Sequence, residues 1–253
     1  MCDWMAFVGK PSRRNVNRWI RRCTGLSNTH ALGVALHTGS NARVLKAPIT
    51  GSEFVELPEW HEMYAKMIEK TKFGMVHARL ATDGNPYDNV NNHPHFTSNG
   101  SVLVHKGVVS AVVEDKDAKS ECDSEQILLA VEKNGLTGVE NTPGWMHLAF
   151  VPHYQPDVMW FFTNSSKLHY WEHDDRIYVT TIPVDGPNIY VLPMDQWVGV
   201  KETGELVWGP QIEPWKTSRF SQQKWEPNSD VESNLPWYMD SQFDSIALPP
   251  KKD

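Results

Sequence analysis

The stretch 145–208 constrains the fold more than any other part of the chain. Seven short runs fall within it, at 146–151, 158–163, 168–171, 177–181, 189–192, 197–200 and 205–208, each apolar or aromatic and each bounded by Pro, Asn, Asp or Gly. Such punctuation predicts short strands joined by turns, and hence antiparallel pairing. Earlier segments repeat at a helical period instead. Val16, Trp19, Ile20 and Cys23 form one apolar stripe, and Trp60, Met63, Tyr64, Met67 and Ile68 form another in a helix expected over 58–72. A third helix is expected from the Cys122-Asp123-Ser124-Glu125 start, with Asp123 as N-cap, Gln126 three residues on and a stop at Gly135. Further strands are expected at 1–8, 33–37, 75–76, 102–104 and 108–113. Helices early and strands late predict an α+β domain in which helices cover sheets.

The 253 residues suffice for one domain with a tail. After Pro210 the sequence turns to Ser, Gln, Asn, Pro and charge, with Trp215, Phe220, Trp225, Trp237 and Phe243 interspersed. We therefore expect a body over 2–210 and a Pro/polar tail over 211–253. A net charge of -7 gives no global attraction to nucleic acid or acidic lipid. One local exception is the basic side of the first helix, with Arg13, Arg14, Arg18, Arg21 and Arg22, which reads either as a solvated face or as a nucleic-acid or phosphate hint. Three cysteines, Cys2, Cys23 and Cys122, form no disulfide framework and suggest a reducing cytoplasm. No apolar run has membrane-spanning length and no signal peptide is visible. Metal chemistry is not expected, since His93 and His95 flank a proline and no zinc-binding spacing occurs. No glycine-rich phosphate loop is present, so no cofactor is expected.

Two features carry chemistry. Cys2 is the first: removal of Met1 would leave a thiol beside its own α-amino group, with pKa values of about 8.5 and about 8, a nucleophile with a built-in base. The alternative is a small buried residue. The second is the stretch 75–110, where Arg79 closes a strand before a Thr82-Asp83-Gly84 turn, a His93-Pro94-His95 loop follows, and another strand ends on His105-Lys106-Gly107. Polar groups at strand ends beside glycine turns suit a binding site. On the residues alone, Arg79 reads first as a surface ion pair and Asp123 first as a helix cap.

Cys2, the segment HARLATDG, the loop His93-Pro94-His95, the VHKGVV strand end and the CDSE helix start follow one another as in a known family. With the HALGVA segment at 30–35, the body resembles a class II (type 2) glutamine amidotransferase domain of the N-terminal nucleophile (Ntn) hydrolases. The resemblance implies a four-layer αββα sandwich, two antiparallel sheets flanked by helices. It implies that Cys2 attacks the side-chain amide of glutamine, forms a thioester and releases ammonia for an acceptor on another protein. Arg79 would pair with the α-carboxylate, Thr82 would shape that pocket, Asp123 would hold the α-ammonium, and Gly107 would offer its N–H to the oxyanion. Two residues depart from the pattern: Lys106 stands where the family has Asn, and Asp3 where it has Gly. Lys106 would carry its charge on a longer stem, and Asp3 would raise the Cys2 pKa, so the site is either retuned or weakened. Alternatives are a binding or scaffolding relative without activity, and an amidohydrolase for another small amide.

Overall fold

In the computed structural model of the chain, residues 2–25, 28–82, 84–110 and 115–213 are described. Their elements run β1 (Asp3–Val8), α1 (Arg13–Gly25), β2 (Ala31–His37), β3 (Ala42–Ala47), α2 (Gly51–Phe54), α3 (Pro58–Met67), β4 (Phe73–Arg79), β5 (His95–Phe96) and β6 (Val102–Val109). Then follow α4 (Asp123–Asn134), β7 (Gly144–Val151), β8 (Val158–Thr163), β9 (His169–His173), β10 (Arg176–Thr180), β11 (Tyr190–Val191), β12 (Gln196–Lys201) and β13 (Leu206–Gln211). Residues of the expected tail from 214 onward lie outside the described residues, and β13 ends one residue past the expected boundary at 210.

The strands form two sheets. One has the order β11, β9, β10, β1, β4, β2, β3 and the other β13, β12, β8, β7, β6, β5, and the pairings in both are antiparallel. The late run does not build one sheet: β9, β10 and β11 join β1, whereas β7, β8, β12 and β13 join β6. Alternation along each strand supplies three apolar layers. Trp4, Ala6, Met75, Val104, Ala149, Phe161 and Val198 pack between the sheets. Met5, Phe7, Leu32 and Val76 face the other way, against the Val16, Trp19, Ile20 and Cys23 stripe of α1 and against Trp60 of α3. Leu103, Leu148 and Phe162 meet Ile127, Leu128 and Val131 of α4. The result is the four-layer αββα sandwich of an α+β protein.

Several elements differ from the sequence expectation. The helix expected over 58–72 stops as α-helix at Met67 and tightens into a 3-10 turn, Ile68–Lys70, because β4 begins at Phe73. Strand β3 and the four-residue α2 were not foreseen. β3 is an edge strand with Arg43 and Lys46 along it, and α2 is a single capped turn in which Thr50 and Glu53 cap one another. Residues 102–109 form one strand rather than two, since β6 pairs with β7 without a break from Val102 to Val109. Residues 111–113 of the expected second strand lie outside the described residues. Among the described residues, no helix is long and apolar enough to cross a membrane.

Candidate active site

Antiparallel pairing between β1 and β4 brings Cys2 to Arg79. Asp3 lies opposite Ala78, so the next residues outward, Cys2 and Arg79, face one another on the inner side of the first sheet. The Cys2 sulfur accepts a hydrogen bond from Leu80 N at 3.4 Å and lies 3.4 Å from Leu80 O. Burial pushes the thiol pKa up. The Leu80 hydrogen bond and the positive charge of Arg79 pull it down, and Asp3 adds a smaller push upward. Thiolate formation here needs a base close to the sulfur.

Arg79 is neither exposed nor a surface ion pair. It is buried, and the segment 84–92 covers it: Nη1 donates to Asn92 Oδ1 at 2.9 Å, and Nη2 donates to the Gly84 carbonyl at 3.3 Å and to Cys122 Sγ at 3.4 Å. Asn92 is held in turn, donating to Pro86 O at 2.7 Å and Asn89 Oδ1 at 3.0 Å, while its carbonyl accepts from Lys46 Nζ at 2.7 Å. Burial lowers the Lys46 pKa to about 8. Thr82 stands exposed past the end of β4.

Lys106 and Gly107 do not end a strand. They sit within β6, opposite His147 and Met146 of β7, because the ladder continues on both sides of them. Gly107 has φ +155°, and a Cβ there would lie 2.0 Å from the Trp145 carbonyl oxygen, so no other residue fits without displacing β7. Lys106 reaches across to the first sheet. Its Nζ donates to Asp3 Oδ1 at 2.7 Å, with side chains only 15% and 10% exposed. The two residues that depart from the family pattern therefore meet. Asp3 also accepts from Thr181 Oγ1 at 3.0 Å and from Asn28 Nδ2 at 2.8 Å.

Asp123 is the first residue of α4, not its N-cap. Cys122 occupies the cap position, and its side chain makes no capping bond. The Asp123 carboxylate instead accepts from Val109 N at 3.0 Å, tying α4 to the end of β6, and from Ser124 Oγ at 3.1 Å. Asp123 Oδ1 lies 3.8 Å from His105 Nδ1. The basic helix face is partly engaged: Arg21 pairs with Glu56 at 3.3 Å, and the Arg22 guanidinium lies 5.2 Å from the centre of the Trp19 ring.

A buried array of imidazoles was not anticipated. His77 of β4 stacks on His93 with ring centres 4.0 Å apart, and His93 meets His95 edge-on at 4.6 Å. His77 Nε2 lies 3.0 Å from His105 O, and His105 Nδ1 lies 3.0 Å from Ser124 Oγ. The loop at His93 enters because β2 carries Gly33 opposite it, where a Cβ would stand 1.9 Å from His93 O. Burial holds His77 down to about 3 and His93 and His95 well below the ordinary imidazole value. His93 and His95 are both buried, on either side of Pro94. His77 and His105 could have been suspected from their phase, two residues before Arg79 and two before Gly107. Among the described residues, no group of three or more His, Cys, Asp or Glu is placed to hold a metal ion.

No family model matches the sequence, and no curated protein matches it. Solved structures do. Glutamine phosphoribosylpyrophosphate (PRPP) amidotransferase from B. subtilis, complexed with ADP and GMP, superposes with a TM-score of 0.60 and 13% identity over 84% of this chain and 50% of that one. A glutamine aminotransferase class-II domain protein from Silicibacter pomeroyi gives 0.56 and 13% over 83% of this chain and 100% of that one. A structure described as the allosteric regulatory enzyme of purine biosynthesis gives 0.61 and 12% over 84% and 49%. The chain thus spans about half the length of two of these proteins and the whole of the third. At this identity the likeness speaks for architecture alone: the chain shares with these structures the fold of two antiparallel sheets flanked by helices.

Proposed function

We propose that this chain is the glutaminase part of a glutamine amidotransferase, acting through Cys2. The observation that carries the reading is the adjacency of Cys2 and Arg79 at the ends of neighbouring central strands, with the Cys2 sulfur hydrogen-bonded to Leu80. After removal of Met1, the α-amino group of Cys2 takes the thiol proton. The thiolate attacks the amide carbon of glutamine, and the carbonyl electron pair moves to oxygen, toward the N–H of Gly107. Return of that pair expels ammonia, which carries away the proton, and leaves a thioester. Water then attacks the thioester, releasing glutamate and restoring the thiol. Arg79 holds the α-carboxylate in competition with Asn92 and the Gly84 carbonyl, Thr82 borders it, and Asp123 holds the α-ammonium. The ammonia goes to an acceptor on a separate protein, and the place of action is the cytoplasm.

The test is glutamate release from glutamine by the purified protein, with loss of at least a thousandfold in Cys2→Ala. Equal release by that variant rules the reading out. One observation favours a non-catalytic binding relative: the ammonium of Lys106 and the guanidinium of Arg79 are both already engaged within the protein. Met1 retained on the purified protein, seen by mass, would speak for that second reading, since a blocked amine cannot act as the base.

A further inference from the structure

We propose that Asp3 and Lys106 form a positioning pair that fixes the Cys2 end of β1 against β6, so that the two departures from the family pattern work as one device. This inference rests on the glutaminase reading for its kinetic consequence, though not for its structural one.

A nucleophile at the start of a chain has a mechanical problem. Chain ends fray, and Cys2 has covalent restraint on one side only once Met1 is gone. The residue next to it is the first place where the end can be held. Asp3 is buried, and its carboxylate is gripped from three directions: Lys106 Nζ of β6 at 2.7 Å, Thr181 Oγ1 beyond β10 at 3.0 Å, and Asn28 Nδ2 ahead of β2 at 2.8 Å. Thr181 also accepts from Trp4 N at 3.1 Å, and Asn28 donates to Cys23 O at 3.4 Å, so the grip extends into β1 and α1. Only Lys106 comes from the second sheet. It precedes Gly107, so the ion pair sets the distance between the strand that carries the thiol and the strand proposed to face the oxyanion.

A lysine so placed is not aimed at substrate. Its ammonium is committed to Asp3, and the side chains are largely shielded from water. A charge pair of this kind is intolerant of losing one member, because the remaining charge stays buried and unmatched, yet it tolerates neutralisation of both. That asymmetry separates a positioning pair from an oxyanion donor.

The experiment compares Lys106→Met, Asp3→Asn, the double variant and Lys106→Arg in the full chain, with Met1 removal checked by mass. Two quantities are measured: the kinetics of glutamine hydrolysis, and the pH profile of Cys2 alkylation by iodoacetamide, read against Cys2→Ala. A positioning pair predicts that Lys106→Met loses at least tenfold in kcat with KM changed less than threefold, and that the double variant and Lys106→Arg recover most of the loss. It also predicts alkylation profiles that move in opposite directions, to higher pH in Lys106→Met, where Asp3 is left unmatched beside the thiol, and to lower pH in Asp3→Asn. A double variant as impaired as Lys106→Met, with Asp3→Asn like wild type, would overturn the proposal and make Lys106 a direct participant. Identical alkylation profiles in all variants would overturn it as well. If the wild type hydrolyses no glutamine, the glutaminase reading falls while the alkylation profiles still decide the pair. If Lys106→Met does not fold, Asp3→Asn and the double variant carry the same comparison.

Discussion

The layer between the two sheets has two contrasting ends. Toward one end lie Met75, Val104, Ala149, Phe161, Val198 and Val200, apolar and close-packed, with Trp4 stacked on Phe161 at 6.4 Å between ring centres. Toward the other lie His77, Arg79 and His93, buried but polar or charged, and the partly buried Lys106, with Asp3 and His105 at the margin on the helix-facing sides of β1 and β6. Apolar burial stabilises by about 25 cal/mol per Å², whereas a buried polar group costs free energy unless its partners are supplied. Here the supply is uneven. His147 is satisfied by Thr163, Ser165 and Ser166, while one or both ring nitrogens of His77, His93, His95 and His105 have no partner atom. The apolar end accounts for why the chain folds; the polar end is where the proposed chemistry sits, and its removal should cost activity more than stability.

The apolar end should carry the larger share of the stability. Phe161→Ala should lose about 3–5 kcal/mol of unfolding free energy in a urea titration, through lost burial and the cavity left behind. A loss below about 1 kcal/mol would mean that this end is not the main support.

Acid attacks the polar end. The buried histidines stay neutral in the folded protein well below the value of about 6.5 at which the unfolded chain takes up protons. The unfolded state therefore binds more protons, and stability that is complete above about pH 6.5 falls as the pH drops. His77 and His147, both lowered to about 3, should together remove about 3 kcal/mol per pH unit below 6.5. Urea midpoints at pH 7.5, 6.0 and 5.0 read this directly, and a flat profile would contradict the burial of neutral imidazoles.

Gly33→Ala tests whether the polar end is held in shape by close backbone approach. A methyl group would press on the His93 carbonyl, and a loss of about 1–3 kcal/mol is expected. The crystal structure of the variant should show the 93–95 loop displaced from β2; an unmoved loop would make Gly33 incidental. The smallest effect is expected outside both regions. Trp208 is 65% exposed on edge strand β13, and Trp208→Ser should change stability by less than about 0.5 kcal/mol in the same titration.

What the sequence disclosed follows the same division. The α1 stripe was readable because one-sided burial imposes a helical period, and strands β7 and β8 because they are short apolar runs, buried on both faces, between turns written in Pro, Asn, Asp and Gly. The assignment of the late strands to two sheets was not readable, because it depends on pairing with β1 and β6 far away in the chain. β3 escaped notice because an edge strand buries too little to show alternation. At the candidate site, Cys2, Arg79, Gly107 and Asp123 could be named from motifs, yet their partners could not. Lys106 meets Asp3 across 103 positions, and Asp123 leaves the cap role to bond Val109 N because β6 runs on to meet it. Residue types mark where chemistry is possible, and contacts distant in sequence determine what each group is free to do.

Cys2, beside the polar end, is proposed to be an N-terminal nucleophile. Intact mass after incubation with a glutamine-mimicking electrophile tests it most directly, because one spectrum reports both the state of Met1 and the reactivity of the thiol. The expected result is a chain lacking Met1 that gains a single adduct, absent from Cys2→Ala and suppressed by excess glutamine. A chain that keeps Met1, or an adduct that persists in Cys2→Ala, would contradict it.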